Sequence, residues 1–275
     1  MEPLFLQQND LSMKYLIFIG CLFFISCNNS DNTATDKYDS LSREQLLKND
    51  IANHPDSALL TENLIQYYRE AGEYKKALAI VNNSLIKESG NPRWWDIKGT
   101  LDLENNDTLG SIHSFKKAAS IYPDPQYLIR LGILYAQTKN IISLALADSL
   151  LTNKKADAAK EANFIKGLYY SYSNQKLKAI SYFDTCLSIS YTYMDAYIEK
   201  ALALYDLEKY PDALAILDKA VTLQNNFEEG YYYRGKCLEK LNRRFEAIEA
   251  YEMALAFSPD YVEAKEALAR LGVKK

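Results

Sequence analysis

Apolar residues along most of the chain recur three and four positions apart, in pairs of segments separated by short polar turns. One such pair carries Ala201, Leu204 and Tyr205, followed by Ala213, Leu214, Leu217 and Ala220. This spacing places the apolar side chains on one stripe of an α-helix and leaves the opposite face polar. The pattern therefore predicts pairs of amphipathic helices.

The paired pattern repeats at a spacing of 34 residues, most clearly between the two halves of residues 194–261. The two halves align Tyr197 with Tyr231 and Ala201 with Gly235. A repeat of this length, with two helices in each unit, indicates a protein built of helical repeats. Because no unit can bury its apolar face alone, neighbouring units are expected to stack on one another.

The same frame extends towards the N-terminus and predicts six units over residues 58–261. The third unit is irregular, because Gly132 lies 33 residues after Gly99 and 35 residues before Gly167. The remaining units occupy residues 58–91, 92–125, 160–193, 194–227 and 228–261.

The repeating positions resemble those of the tetratricopeptide repeat, whose units carry a Leu-Gly pair, a Tyr, and then Ala, an aromatic residue, Ala and a closing Pro. The chain departs from that pattern at Ala201 for Gly, Ser111 for Ala and Asn225 for Pro. The resemblance implies an all-α fold, a right-handed α-solenoid of antiparallel helix pairs. Capping helices are predicted at 42–57 and 262–275, where Leu and Ala face the repeats and charged residues face outwards.

The N-terminal region has a different composition and predicts export. Residues 15–26 are almost purely apolar and too short to span a bilayer, so residues 1–26 are predicted to be a signal peptide. The charged residues in 1–12 are acidic, whereas a signal peptide normally begins with basic residues. Translation is therefore predicted to start at Met13. Residues 27–41 are mostly polar and are predicted to be a flexible tether.

The residues before Cys27 resemble the lipobox of bacterial lipoproteins, which implies that Cys27 is lipidated after removal of the signal peptide. Phe24 stands where that motif usually has Leu, and Cys21 is a rival site that would leave a much shorter apolar segment. An uncleaved signal anchor and an apolar helix of a cytosolic protein are the alternatives.

Composition and motifs narrow the function to binding. The formal net charge of −4 does not favour a nucleic-acid partner, which needs clustered Lys and Arg. The sequence contains no phosphate-binding loop, nucleophile elbow or zinc-protease motif, so no enzyme activity, metal or cofactor is predicted. Cys186 and Cys237 fall at small-residue positions of the repeat and are predicted to pack in the core.

The resemblance also implies where a partner binds, because the first helices of successive tetratricopeptide units line a concave groove. The predicted groove residues are Ile129, Ile133, Phe164, Leu168, Tyr172, Ile198, Leu202, Tyr205 and Tyr232. The first two units carry Glu62, Gln66, Asp96 and Thr100 at the same positions, so the groove is predicted to be polar there. The alternative is that the protein buries the apolar strip itself.

The sequence therefore predicts a lipid-anchored scaffold of the bacterial cell envelope that binds a protein or peptide partner. Lipoproteins of this build are similar to accessory subunits of envelope assembly and secretion complexes. A carbohydrate-binding outer-membrane lipoprotein is the alternative hypothesis.

Overall fold

A computed structural model describes residues 41–152 and 158–273, and these residues form fourteen α-helices and no strands. Each predicted unit is a pair of helices. The helices are α1 (Arg43–Asn53), α2 (Ala58–Glu70), α3 (Tyr74–Lys87), α4 (Pro92–Glu104), α5 (Thr108–Ile121), α6 (Pro125–Gln137), α7 (Ile142–Thr152), α8 (Ala159–Tyr172), α9 (Lys176–Ile189), α10 (Met194–Asp206), α11 (Tyr210–Leu223), α12 (Glu228–Lys240), α13 (Arg244–Phe257) and α14 (Val262–Arg270). The prediction of an all-α fold is confirmed.

The described residues divide into two compact parts, here called unit 1 (up to Tyr127) and unit 2 (from Leu128); each of these numbered units contains several of the repeated helix pairs. Within unit 1, helices α1 to α5 each pack on the next helix in sequence. The same holds for α7 to α14 in unit 2, where α10 also contacts α8 and α12. Contacts limited to neighbouring helices are typical of stacked repeats, in which each pair completes the core of the next.

Close packing within a helix pair depends on small residues opposite aromatic ones. A Cβ atom added to Gly167 would lie 2.4 Å from Cε1 of Phe183, so α8 approaches α9 closely only because this position has no side chain. Gly235 faces Tyr251 in the same way, at 2.5 Å. Where the chain departs from the pattern with Ala201, the residue sixteen positions on is Leu217 instead of an aromatic residue.

The turns between paired helices are short, and each contains a residue in the left-handed conformation. Gly72, Asn174 and Asn242 have φ angles of 70°, 60° and 58°. Lys139 and Glu208 adopt the same conformation, at 58° and 59°, without a residue type that favours it. Each turn therefore reverses the chain in three residues, or four between α6 and α7, and sets the two helices of a pair antiparallel.

The irregular third unit differs from the others in its helix contacts. Its second helix, α7, is described up to Thr152, where this described range ends. Gly132 of this unit also departs from the others, because its added Cβ would meet Ile165 of the next unit at 2.6 Å instead of its own second helix.

The described region begins with α1 and ends with α14, which lie within the ranges 42–57 and 262–275; their role as capping helices stays a prediction. Ser42 caps α1, since its hydroxyl accepts the N–H of Gln45 at 3.3 Å and the Gln45 side chain accepts the N–H of Ser42 at 3.0 Å. Helix α14 buries Ala264 and Leu268 and leaves Lys265 exposed. The predicted signal peptide, the tether and the lipidation site Cys27 lie outside the described residues. Across 41–152 and 158–273, no helix combines the length and apolar character needed to cross a membrane.

Candidate functional site

Four of the nine predicted groove residues are core residues. Ile129, Phe164, Leu168 and Ile198 are buried, with exposed fractions of 7%, 1%, 0% and 0%. The prediction that they present an open apolar surface is wrong for this structure. At these positions the alternative holds, and the protein buries the strip itself.

The burial of Phe164 has a specific cause that lies outside its own helix. Its ring lies 5.1 Å from the ring of Tyr193, in the loop before α10, and 5.9 Å from the ring of Phe183 on α9. Tyr193 thus covers the face of α8 that helical periodicity alone leaves open.

The other five predicted residues remain partly exposed. Tyr172, Leu202 and Tyr205 lie near the ends of α8 and α10, and Tyr232 lies on α12. Ile133, on α6, is also partly exposed. A role of these five residues in partner binding remains a prediction.

Three of them gather around one lysine. The tyrosine–lysine site consists of Leu202, Tyr205, Tyr232, Tyr233 and Lys236. Leu202, Tyr205, Tyr233 and Lys236 line a small depression between α10 and α12, together with Ala201, Leu217 and Cys237. The Lys236 ammonium lies 5.6 Å from the ring centres of Tyr205 and Tyr232 and 5.3 Å from that of Tyr233.

The chemistry of Lys236 is that of a cation held among aromatic faces. Burial lowers the pKa of its ammonium group, and burial also raises the pKa of Tyr205 to about 12. The rings offer their negative faces to the cation and so offset part of its desolvation. Among the described residues no carboxylate forms an ion pair with Lys236; the nearby Glu239 is bound by Arg270 at 2.7 Å. The site can therefore bind an anionic or aromatic group of a ligand.

The tyrosine side chains that surround the lysine are fixed by packing. Tyr232 contacts the rings of Tyr233, Tyr251 and Tyr261 at centroid distances of 5.1, 5.8 and 5.2 Å. The Tyr251 hydroxyl donates to Glu239 at 2.5 Å. These contacts tie α12 to α13 and hold the site in one arrangement before any ligand binds.

The first helices of unit 1 are joined to one another by ion pairs; the role of Glu62, Gln66, Asp96 and Thr100 in a polar part of the groove stays a prediction. Arg93 on α4 binds Glu62 on α2 at 2.8 Å and lies 3.7 Å from Asp96. Arg69 on α2 donates through Nε to both carboxylate oxygens of Glu104 on α4, at 2.8 and 2.7 Å. Sequence spacing alone did not pair these residues, because the two members of each pair lie on different units about one repeat apart.

Both described cysteines are buried and free, as their repeat positions predicted. Burial raises the pKa of each thiol to about 12, which keeps them protonated at neutral pH. No group of three or more His, Cys, Asp or Glu residues suited to a metal ion occurs in the part of the chain that the structure describes.

Comparisons with known proteins agree with this architecture. A family model described as tetratricopeptide repeat matches residues 228–261. A tetratricopeptide repeat protein of known structure from Parabacteroides merdae superposes with a TM-score of 0.69 at 21% identity, covering 86% of this chain and 94% of the other.

Two curated relatives match at the level of sequence. The BBSome complex member BBS4 homolog of Drosophila melanogaster is 28% identical over 70% of this chain and 40% of its own length. The DnaJ homolog subfamily C member 7 homolog of Dictyostelium discoideum is 24% identical over 89% of this chain and 45% of its own length. The chain thus spans less than half the length of either relative.

Proposed function

We propose that this chain, which has the fold of tetratricopeptide-repeat proteins and matches the model of that family over residues 228–261, is a non-catalytic scaffold that binds a protein or peptide partner. The tyrosine–lysine site carries this proposal. It is a preformed, partly exposed aromatic surface on the first helices of unit 2, and aromatic residues are enriched where proteins bind one another.

The site favours binding of a partner through a small number of strong contacts. Tyr205 and Tyr232 offer large side chains whose conformations are already restricted by ring contacts with Tyr210 and Tyr233, at 5.1 Å each. A partner therefore gains apolar contact without the entropic cost of ordering these residues. Lys236 adds a charge whose interaction with an anion is strengthened by its partial burial.

We further propose that the protein is held in the bacterial cell envelope by a lipid on Cys27, as an accessory subunit of an assembly or secretion complex. The support is the apolar segment 15–26, the lipobox-like residues before Cys27 and the polar stretch that follows. In this arrangement the tether lets the repeats reach a partner near the membrane.

The test is capture of the partner from detergent-solubilised envelope with the full chain as bait. Tyr205→Ala combined with Lys236→Ala is expected to reduce capture at least tenfold, because both groups touch the ligand in the proposed mode. The matched control is Tyr191→Ala, which removes a tyrosine that is 67% exposed and lies in the loop before α10. Equal capture by the double variant and the control would refute the proposed site, provided that the unfolding midpoints of both match the parent.

The anchor is tested separately. Cys27→Ala should move the protein from the membrane fraction to the soluble fraction. Mass spectrometry should find acyl chains on the parent protein and none on the variant. Absence of acyl chains on the parent protein would refute the lipid anchor and leave the binding site untouched.

A further inference from the structure

The two edges of unit 2 carry opposite charge. Its turn edge is defined here as the turns between paired helices with the adjoining helix ends, residues 137–142, 173–178, 206–212 and 240–246. Its loop edge comprises the connections from one pair to the next, residues 189–195, 223–229 and 257–263. Because paired helices are antiparallel and neighbouring pairs pack in the same orientation, the turns lie along one side of unit 2 and these loops along the other.

The turn edge has seven basic and four acidic residues, a net charge of +3. These three connections have five acidic residues and no Lys or Arg, a net charge of −5. Counted with the remaining connection, 152–160, which carries Lys154, Lys155, Asp157 and Lys160 in sequence, the loop edge has a net charge of −3. The whole chain has a net charge of −4, so the turn edge is positive although the chain as a whole is negative. The basic residues of the turn edge are Lys139, Lys176, Lys178, Lys209, Lys240, Arg243 and Arg244.

Large apolar side chains project from the turn edge beside these charges. Phe245 is 83% exposed, Leu177 68%, Ile141 67% and Ile142 47%. The loop edge also exposes large apolar side chains, among them Tyr191 at 67% and Val262 at 58%, so the two edges differ in charge and not in apolar exposure. Leu177 and Phe245 are each the second residue of the second helix in their pair, and Pro211 occupies the same place in α11. Residues at this position point away from the core, so packing within the protein does not account for their apolar character.

Exposed apolar side chains flanked by Lys and Arg are the combination that inserts into the surface of an anionic bilayer. The chains enter the boundary between headgroups and acyl tails, and the cations stay among the phosphates. A protein partner would need a contiguous apolar patch with a matching shape, whereas here separate side chains project from successive turns. We propose that the turn edge of unit 2 lies on an anionic lipid surface.

Several of the cations are available for this contact. Lys139, Lys178, Lys209 and Lys240 are exposed. Lys176 and Arg243 already bind Asp206 and Glu246 at 2.5 Å each, so they contribute less. Each available cation should strengthen docking roughly fivefold, and added salt should weaken it.

The assignment does not depend on the scaffold proposal. A lipid anchor fixes the N-terminus to a membrane without deciding which face of unit 2 meets the lipid. Docking through the turn edge places that edge on the lipid, so the acidic loop edge faces away from the anionic surface.

The test places a tryptophan at each edge of the full chain and measures quenching by brominated lipid. Phe245→Trp reports on the turn edge and Tyr191→Trp on the loop edge. The two sites are matched, since both are aromatic and exposed, at 83% and 67%. The parent protein, with its native Trp94 and Trp95, supplies the background signal. Only protein that floats with the vesicles is measured, so attachment through the N-terminal segment does not affect the comparison.

In vesicles of phosphatidylcholine and phosphatidylglycerol, we expect quenching to remove about half of the signal added at position 245 and none of that added at 191. Adding Lys178→Gln and Lys240→Gln, or using phosphatidylcholine alone, should restore most of the signal at 245. Equal quenching at both positions, or none at 245, would overturn the proposal. Protection of position 245 by a co-purifying acidic protein without lipid quenching would assign the edge to a protein partner instead, and would also overturn it.

Discussion

Helices α8 and α9 approach each other closely at Gly167, so the cost of adding a side chain there can be predicted quantitatively. A methyl group at Gly167 would lie 2.4, 2.6 and 2.9 Å from three ring carbons of Phe183. Ordinary contacts begin near 3.4 Å, so the ring would have to move by about 1 Å in a close-packed core. Phe183 is fully buried, so the ring cannot move without displacing its neighbours.

The expected free-energy changes follow from this geometry. Overpacking of this severity costs about 3 kcal/mol. Replacement of glycine by alanine within a helix stabilises the helix by about 1 kcal/mol. The difference between the two effects predicts that Gly167→Ala destabilises the protein by about 2 kcal/mol. Phe183→Leu alone leaves a cavity and should cost about 1–2 kcal/mol.

The double variant should be more stable than the sum of its parts. The chain already uses the combination of alanine and leucine at Ala201 and Leu217, which are buried at the corresponding positions of the next unit. Gly167→Ala with Phe183→Leu should therefore cost no more than Phe183→Leu alone. The coupling energy is expected to be about 2 kcal/mol, well above the ~0.5 kcal/mol scatter of independent sites.

Hydrogen exchange of α8 and α9 in the full chain measures these changes locally, which suits a repeat protein whose units can open separately. Gly90→Ala, followed by hydrogen exchange of the flanking helices α3 and α4, is the control, because its added methyl group meets no atom within 4 Å and its φ is not positive. It should change stability by less than about 0.5 kcal/mol. Strict additivity of the Gly167 and Phe183 substitutions, or a cost at Gly90 equal to that at Gly167, would refute the reasoning.

Two further predictions concern buried charges. Burial raises the pKa of Asp195 to about 6 from its ordinary value of 3.8, so folding favours the protonated form; this stabilisation is complete below about pH 4 and is lost as the pH rises through 6. Asp195→Asn should therefore stabilise the protein by about 1 kcal/mol at pH 7 and by little at pH 4, after allowance for the favourable position of Asp195 in the first turn of α10. Urea unfolding at the two pH values tests this, and an equal gain at both would contradict it. In unit 1, Arg69→Met should cost about 3 kcal/mol because it leaves the buried Glu104 carboxylate unpaired. The double variant Arg69→Met with Glu104→Met should be close to neutral by the same measurement, and a double variant as unstable as the single one would show that the pair itself stabilises the fold.

The sequence determined the helix pairs, their turns and the small residues between them. These features are local: periodicity places apolar residues on one helix face, and the turns that reverse the chain require a left-handed residue such as Asn174 or Gly72. The buried positions of Cys186 and Cys237 followed from the same frame, since every unit needs a small residue where its helices approach.

Only the tertiary structure decided which residues of the predicted groove are accessible. Phe164 and Tyr232 occupy equivalent positions in α8 and α12, and each contacts the tyrosine of the following loop, Tyr193 or Tyr261. Phe164 is nevertheless buried, whereas Tyr232 remains partly exposed beside Lys236. Helical periodicity fixes the direction of a side chain relative to its own axis. Whether it meets solvent depends on what the neighbouring unit places above it, and that contact is set by the stacking of helices distant in sequence.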